Sequence, residues 1–177
     1  MSKRIIEGYG CELISVNSRI NFSMEQVSRS PTYNLYPNSP NNLVIDFTEG
    51  IKVVIDKGSN VKQINFDTNS GYTFHDKIIP GKTKLSNIKE HHWSFDHMHP
   101  GLITSEFYKG VGFAINSNIE NYFEHLLEGT SIERLIVLDD FAIGDIVVFS
   151  NVIDGKHPFD MYEAFIWNDS ISTMRRK

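Results

Sequence analysis

The chain of 177 residues carries 17 Lys+Arg against 22 Asp+Glu, for a formal net charge of −5, and 40% of its residues are hydrophobic. This length is typical of a single domain with a sizeable apolar core. The single cysteine, Cys11, excludes internal disulfides. The longest apolar runs are far shorter than the ~18–20 residues of a membrane-spanning helix. With no signal segment at Met1, we expect a cytoplasmic protein.

The acidic excess lies in the last third of the chain. Residues 1–60 carry six acids and six bases, residues 61–119 carry five and six, and residues 120–177 carry eleven and five. Within residues 120–169 the formal charge is −9. Because nucleic acids require clustered Lys and Arg, this distribution argues against a nucleic-acid partner and favours a basic protein partner. The alternative is that the carboxylates only maintain solubility.

The first predicted element is a short helix that begins after Ser23. Ser23 and Gln26 have the spacing of a capping box, and Phe22 and Val27 have that of a hydrophobic staple. A polar loop with three prolines follows, and then come three runs of alternating apolar residues separated by turns rich in Gly, Asn and Asp. A period of two between turns predicts strands in a three-stranded antiparallel meander, at residues 43–47, 51–55 and 61–66.

The second part of the chain repeats this arrangement sixty residues later. Residues 47–56 align with residues 107–116, with a shared Phe, turn Gly and Ile and with matched apolar positions. A helix capped by Thr83 precedes this copy, and its third strand is expected at residues 132–138. We therefore expect two pseudo-repeats, at residues 11–68 and 71–139. The alternative is a chance alignment of short β-rich segments.

The remaining segments complete the predicted fold. Residues 119–127 place apolar side chains on one face and glutamates on the other, which predicts an inserted amphipathic helix. Residues 145–150 and 161–167 are expected to pair as a hairpin within a C-terminal segment, 140–177. The predicted fold is α+β and predominantly antiparallel sheet, with two tandem helix-plus-three-strand meander units, the inserted helix and the C-terminal hairpin, in one compact domain over residues 1–177.

The densest group of chemically versatile side chains lies at residues 91–99. Neutral imidazoles and a carboxylate suit Zn²⁺ or another divalent transition metal, and the candidate ligands are His91, His92, Asp96, His97 and His99. A small metal-dependent hydrolase is therefore the alternative function. The spacing matches no established ligand motif, however, and a polar surface loop is the competing interpretation. The chain also has no phosphate-binding loop or nucleophile elbow, so we assign no catalytic residue, no metal site and no cofactor.

The repeated segments 47–56 and 107–116 resemble the duplicated helix-plus-meander arrangement of some secreted enzyme inhibitors and small bacterial binding domains. The chain length and the acidic segment 120–169 resemble bacterial immunity proteins of contact-dependent growth inhibition and other polymorphic toxin systems. This resemblance implies an inhibitor that binds and neutralises a cognate toxin domain, often a basic nuclease, by blocking its active face. No residue role is transferred by the resemblance, and a non-catalytic scaffold domain is a further alternative.

Charge complementarity with a basic partner predicts which side chains of the acidic third contact it. The predicted partner-binding residues are Glu133, Asp139, Asp140, Asp145, Asp154, Asp160 and Glu163. Exposed strand edges of a meander, or the final hairpin, are a second mode of contact, in which a partner strand adds to the sheet.

Overall fold

The computed structural model describes residues 3–29, 41–84, 87, 93–95, 102–105, 108, 110–115, 142–149, 165–168 and 171–176. Within these residues the regular secondary structure is almost entirely strand. The strands are β1 (Arg4–Ile5), β2 (Leu43–Thr48), β3 (Ile51–Ile55), β4 (Val61–Phe66), β5 (Thr73–Phe74), β6 (Trp93–Phe95), β7 (Leu102–Ser105), β8 (Val111–Ile115), β9 (Ile143–Phe149), β10 (Phe165–Asn168) and β11 (Ile171–Arg176).

Nine of these strands form one sheet in the order β11-β10-β6-β7-β8-β9-β4-β3-β2, and every neighbouring pair in it is antiparallel. The two remaining strands, β1 and β5, pair in parallel as a separate ribbon. The prediction of a predominantly antiparallel sheet is therefore confirmed. The α part of the predicted α+β class is not, because the described residues contain little helix, and the insertion at 119–127 lies outside them.

One short helical element is present where the capping signal predicted it. Residues Met24–Gln26 form a single 3-10 turn, and the backbone N–H of Ser23 donates to Oε1 of Gln26 at 3.0 Å. The backbone N–H of Gln26 donates to the carbonyl oxygen of Ser23, also at 3.0 Å. Three residues are too few to build a helical layer over a sheet, so this turn serves as a connection. Among the described residues, no helix is long and apolar enough to cross a membrane.

The first predicted meander is confirmed, since β2, β3 and β4 pair in sequence order. The expected hairpin between residues 145–150 and 161–167 is wrong in its pairing. β9 has β4 on one edge and β8 on the other, and a strand has only two edges. β10 instead pairs with β6 and β11, so the C-terminal hairpin is β10-β11. The expected strand at 132–138 lies outside the described residues, and β9 lies beside β8.

The core forms on one face of the sheet, which we call the core face. Five side chains from five strands stand in one register row across it: Ile45, Val53, Ile64, Val148 and Val111. All five are 0% exposed. The N-terminal layer, residues 3–29, covers this face with Ile5, Cys11, Ile14 and Val16. Each fully buried side chain of this size stabilises the fold by roughly 1.5–3 kcal/mol, so the row and its cover hold the layers together.

The opposite face of the same strands, the second face, is also buried. Val54, Gln63 and Phe149 share one register row there, and Asn65 and Val147 share the next. All five side chains are buried. The strands β3, β4 and β9 are therefore covered on both faces, which explains why β9 has four consecutive buried residues rather than an alternating pattern.

The turn between β2 and β3 requires a glycine at position 50, and this requirement can be tested. Gly50 has a φ of +70°, and a Cβ at this position would overlap the backbone of Ser70. We expect Gly50→Ala to lower the free energy of unfolding by about 3 kcal/mol, because backbone strain and steric overlap both act. Gly71 is the matched control, because it has the same φ of +70°. A Cβ added at this position would have only the flexible side chain of Lys3 nearby, at 3.7 Å.

Gly71→Ala should therefore lower the free energy of unfolding by only about 1 kcal/mol, which is the cost of placing alanine in a left-handed backbone conformation. Urea unfolding of the three proteins measures both values. Equal losses in the two variants would show that the close approach of Gly50 to Ser70 is not a constraint on the fold.

Candidate functional site

The histidine-rich stretch is interrupted by a strand. β6 (Trp93–Phe95) lies within it and pairs with β7 and β10. All five predicted metal ligands, His91, His92, Asp96, His97 and His99, lie outside the described residues. Among the residues that are described, no three His, Cys, Asp or Glu side chains are grouped so that they could hold a metal ion.

Of the seven predicted partner-binding carboxylates, the structure describes only Asp145. The other six, Glu133, Asp139, Asp140, Asp154, Asp160 and Glu163, lie outside the described residues. Asp145 is in β9 opposite Ala114 of β8, and its side chain is half-buried on the second face. It therefore belongs to the middle of the sheet rather than to a connecting loop.

Asp145 is part of a group of polar side chains that we call the second-face polar strip. Its members are Asp46, Lys52, Gln63, Asn65 and Asp145. Lys52 lies opposite both Asp46 and Asn65 in the strand register. Its Nζ is 3.6 Å from Oδ1 of Asp46 and donates to Oγ of Ser28 at 3.3 Å. Gln63 donates from Nε2 to Oδ1 of Asn65 at 2.6 Å. The strip thus combines one ammonium group, two carboxyl groups and a buried amide pair.

The environment of Asp145 changes its acidity. Burial, together with the negative charge of Asp67, raises the pKa of the Asp145 carboxyl to about 6, although the nearby ammonium group of Lys52 acts in the opposite direction. Asp145 can therefore accept and release a proton close to neutral pH. Reasoning from the sequence did not identify Lys52, Gln63 or Asn65 as part of this strip. The available signal was the polar alternation in β4, which by itself is equally typical of a solvent-facing strand.

A second candidate site is a groove in the N-terminal layer. The groove has a volume of about 360 Å³, and its lining includes Tyr9, Glu12, Leu13, Arg19 and Phe47. Backbone hydrogen bonds fix the walls, since the N–H of Val16 donates to the carbonyl oxygen of Tyr9 at 2.7 Å and that of Ile20 donates to Ser59 at 3.0 Å. The groove is therefore built from ordered backbone.

The core supports one wall of this groove. Tyr72 is 1% exposed, and its hydroxyl donates to Oε1 of Glu12 at 2.8 Å. Burial raises the pKa of the Tyr72 hydroxyl above its ordinary value, and the hydrogen bond to Glu12 acts in the same direction. The hydroxyl consequently remains a protonated donor, and the Glu12 carboxylate is held in place at the surface.

A third group of charged side chains ties β1 to the turn that follows β5. Nε2 of His75 is 2.8 Å from Oε1 of Glu7, and Nε of Arg4 is 2.9 Å from Oδ1 of Asp76. His75 and Asp76 have φ values of 51° and 56°, in the left-handed region. Half-exposed pairs of this kind contribute little, typically below about 1 kcal/mol each. We assign them a structural role at the edge of the N-terminal layer.

Comparisons with protein-family models, with curated proteins and with solved structures give no match. Functional inference for this chain consequently rests on its own residues.

The pKa of Asp145 predicts how stability depends on pH. The folded state binds this proton more tightly than the unfolded state, whose aspartate has an ordinary pKa of 3.8. The free energy of unfolding should therefore decrease as the pH rises from about 4 to about 6, by at most about 3 kcal/mol. Asp145→Asn removes this loss, so the variant should be more stable than the parent protein at pH 7 and similar to it at pH 4.

The matched control is Asp46→Asn, which removes an exposed carboxylate from the same strip. It should leave the pH dependence within about 1 kcal/mol of that of the parent. Urea unfolding at a series of pH values between 4 and 7 provides the measurement. If Asp145→Asn followed the same pH profile as the parent, the assigned environment of Asp145 would be wrong.

Proposed function

We propose that this protein is an immunity-type inhibitor that binds and neutralises a cognate toxin domain in the bacterial cytoplasm, by covering the toxin's active face and without catalysis. The observation that carries this proposal is the charge distribution. Residues 120–169 have a formal charge of −9, whereas residues 1–119 are nearly neutral. Such a separation suits a partner whose own surface is basic, as in a nuclease that must bind phosphates.

The proposed function requires fast binding, and a localised negative charge can provide it. An inhibitor made in the cell that produces the toxin has to bind before the toxin acts. A field of one sign raises the association rate of an oppositely charged partner by up to a few orders of magnitude at low salt. Burial of charged pairs, in contrast, adds affinity only where both groups are well paired. We therefore assign the acidic third mainly to fast capture.

The topology of the sheet supports the proposal, because strands of one sheet flank the acidic segments. β9 lies between β4 and β8, and β10 lies between β6 and β11. The acidic segments 116–142 and 150–164 consequently begin and end at strands of the same sheet. Fixed ends reduce the entropy that a binding segment loses on association.

Asp145 has a different role in this proposal from the other six predicted contacts. Its carboxyl group is half-buried in β9, and this burial raises its pKa to about 6. We assign partner contact to Glu133, Asp139, Asp140, Asp154, Asp160 and Glu163. Asp145 acts instead on the stability of the sheet that carries the connecting segments.

If the proposal is right, a toxin domain is encoded directly upstream of this gene, and the test uses that domain. Co-expression should rescue cells from that domain, and surface plasmon resonance should show fast association that slows as the salt concentration rises. The double variant Asp154→Lys/Asp160→Lys should slow association by about tenfold and weaken its salt dependence, because charge steering is reduced.

A matched control makes the same change in net charge elsewhere. Glu25→Lys/Glu49→Lys alters two exposed acids in the balanced residues 1–60 and should leave association unchanged. If the two double variants slowed association equally, total charge rather than the acidic third would govern binding. If neither affected it, the electrostatic basis of the proposal would be wrong, and a neighbouring toxin that is neither bound nor neutralised would refute the proposed function itself.

A further inference from the structure

The groove in the N-terminal layer presents opposite charges that do not neutralise each other. Glu12 and Arg19 are both exposed and both line it. Within the described part of the chain, neither side chain belongs to an ion pair. Opposite charges in one concave site normally approach each other or remain bridged by solvent. Because both residues line the same groove, it offers one carboxylate and one guanidinium to a ligand that carries both charges.

The carboxylate of Glu12 is positioned by a hydrogen bond before any ligand binds. The buried Tyr72 hydroxyl occupies one oxygen, Oε1, at 2.8 Å. The second oxygen of Glu12 can then accept a charge-assisted hydrogen bond, which is about twice as strong as a neutral one. Because the core fixes Tyr72, little side-chain entropy of Glu12 remains to be lost on binding.

Hydrogen bonds also hold the backbone at and around Arg19. Arg19 forms a backbone bridge with Asn60, next to β4. The residues on either side of it are held as well, since the N–H of Asn17 donates to Val61 at 2.7 Å and that of Ile20 donates to Ser59 at 3.0 Å. The Cα of Arg19, from which its side chain extends, therefore has a fixed position relative to the sheet.

The lining of the groove supplies apolar surface between the charges. Tyr9 is 51% exposed and Leu13 is 58% exposed, and both line the groove. Phe47, half-buried in β2, contributes to the same lining. Covering this apolar area is favourable at roughly 25 cal/mol per Å². A ligand with a hydrophobic side chain therefore gains from contacts that a small ion does not make.

We propose that this groove binds a small zwitterion with an apolar side chain, either a free hydrophobic amino acid or a hydrophobic dipeptide. The ligand's ammonium group binds the carboxylate of Glu12, its carboxylate binds the guanidinium of Arg19, and its side chain packs against Tyr9, Leu13 and Phe47. This binding is independent of the proposed capture of a toxin, because it uses the N-terminal layer and Phe47 of β2 and none of the residues of the acidic third.

The zwitterion fits better than simpler ligands do. An anion bound by Arg19 alone would be repelled by Glu12, and a cation bound by Glu12 alone would be repelled by Arg19. A neutral apolar molecule would remove water from both charged groups without replacing it, which is costly. Of these ligands, only one with both charges compensates both Glu12 and Arg19.

The experiment is a titration of the ¹⁵N-labelled protein followed by NMR chemical shifts of the backbone amides. The probes are L-leucine and L-phenylalanine as free amino acids, and Leu-Leu as a dipeptide. N-acetyl-leucine amide, which has the same side chain and neither charge, is the control ligand. The zwitterions should shift amides in residues 9–21 and 59–61 at millimolar concentration, and the capped compound should not. The probe that binds more tightly identifies the source of the ligand.

Two variants test the charges without removing the groove. Glu12→Gln retains an oxygen that accepts from Tyr72 and loses only the charge, and Arg19→Gln changes an exposed side chain. Each should weaken binding by about fivefold or more. The controls, Glu25→Gln and Arg29→Gln, change exposed charges outside the groove and should leave binding unchanged.

Three outcomes would overturn the proposal. The first is that no zwitterion shifts the groove amides at millimolar concentration. The second is equal binding of the capped compound, which would show that the charges do not contribute. The third is equal weakening in the groove variants and the control variants, which would make the effect one of net charge.

Discussion

The structure depends on one register row that crosses five strands of the sheet. Ile45, Val53, Ile64, Val148 and Val111 stand side by side and are fully buried. Since side chains alternate between faces, a shift of one residue in any of these strands would move its part of the row to the opposite face. The N-terminal layer packs on this row, so the register also decides where the groove of that layer is built.

β9 joins the two halves of the nine-stranded sheet, β2–β4 on one side and β6–β8, β10 and β11 on the other. This strand lies between β4 of the first meander and β8 of the second, so long-range pairing joins segments that are some eighty residues apart in sequence. The acidic segments 116–142 and 150–164 are therefore joined at both ends to strands of this sheet.

The surroundings of two carboxyl groups determine what each of them can do. Tyr72 lies in the core and holds the surface carboxylate of Glu12 through its hydroxyl. On the other side of the sheet, burial raises the pKa of Asp145 into the range where it titrates near neutral pH. A count of charges therefore does not distinguish Glu12, which a core hydroxyl positions, from Asp145, whose acidity is set by burial.

The sequence by itself determined the local features: the strands of the first meander, the turn at Gly50, the helical turn after Ser23 and the uneven distribution of charge. These follow from short-range periodicity, turn chemistry and composition, which act within a few residues. Only the tertiary structure decided the partners of β9, the burial of Gln63 and Asn65, the state of Asp145 and the pairing of Tyr72 with Glu12. Each of these depends on which distant segments meet, and alternating polar residues in a strand look the same whether water or another layer covers them.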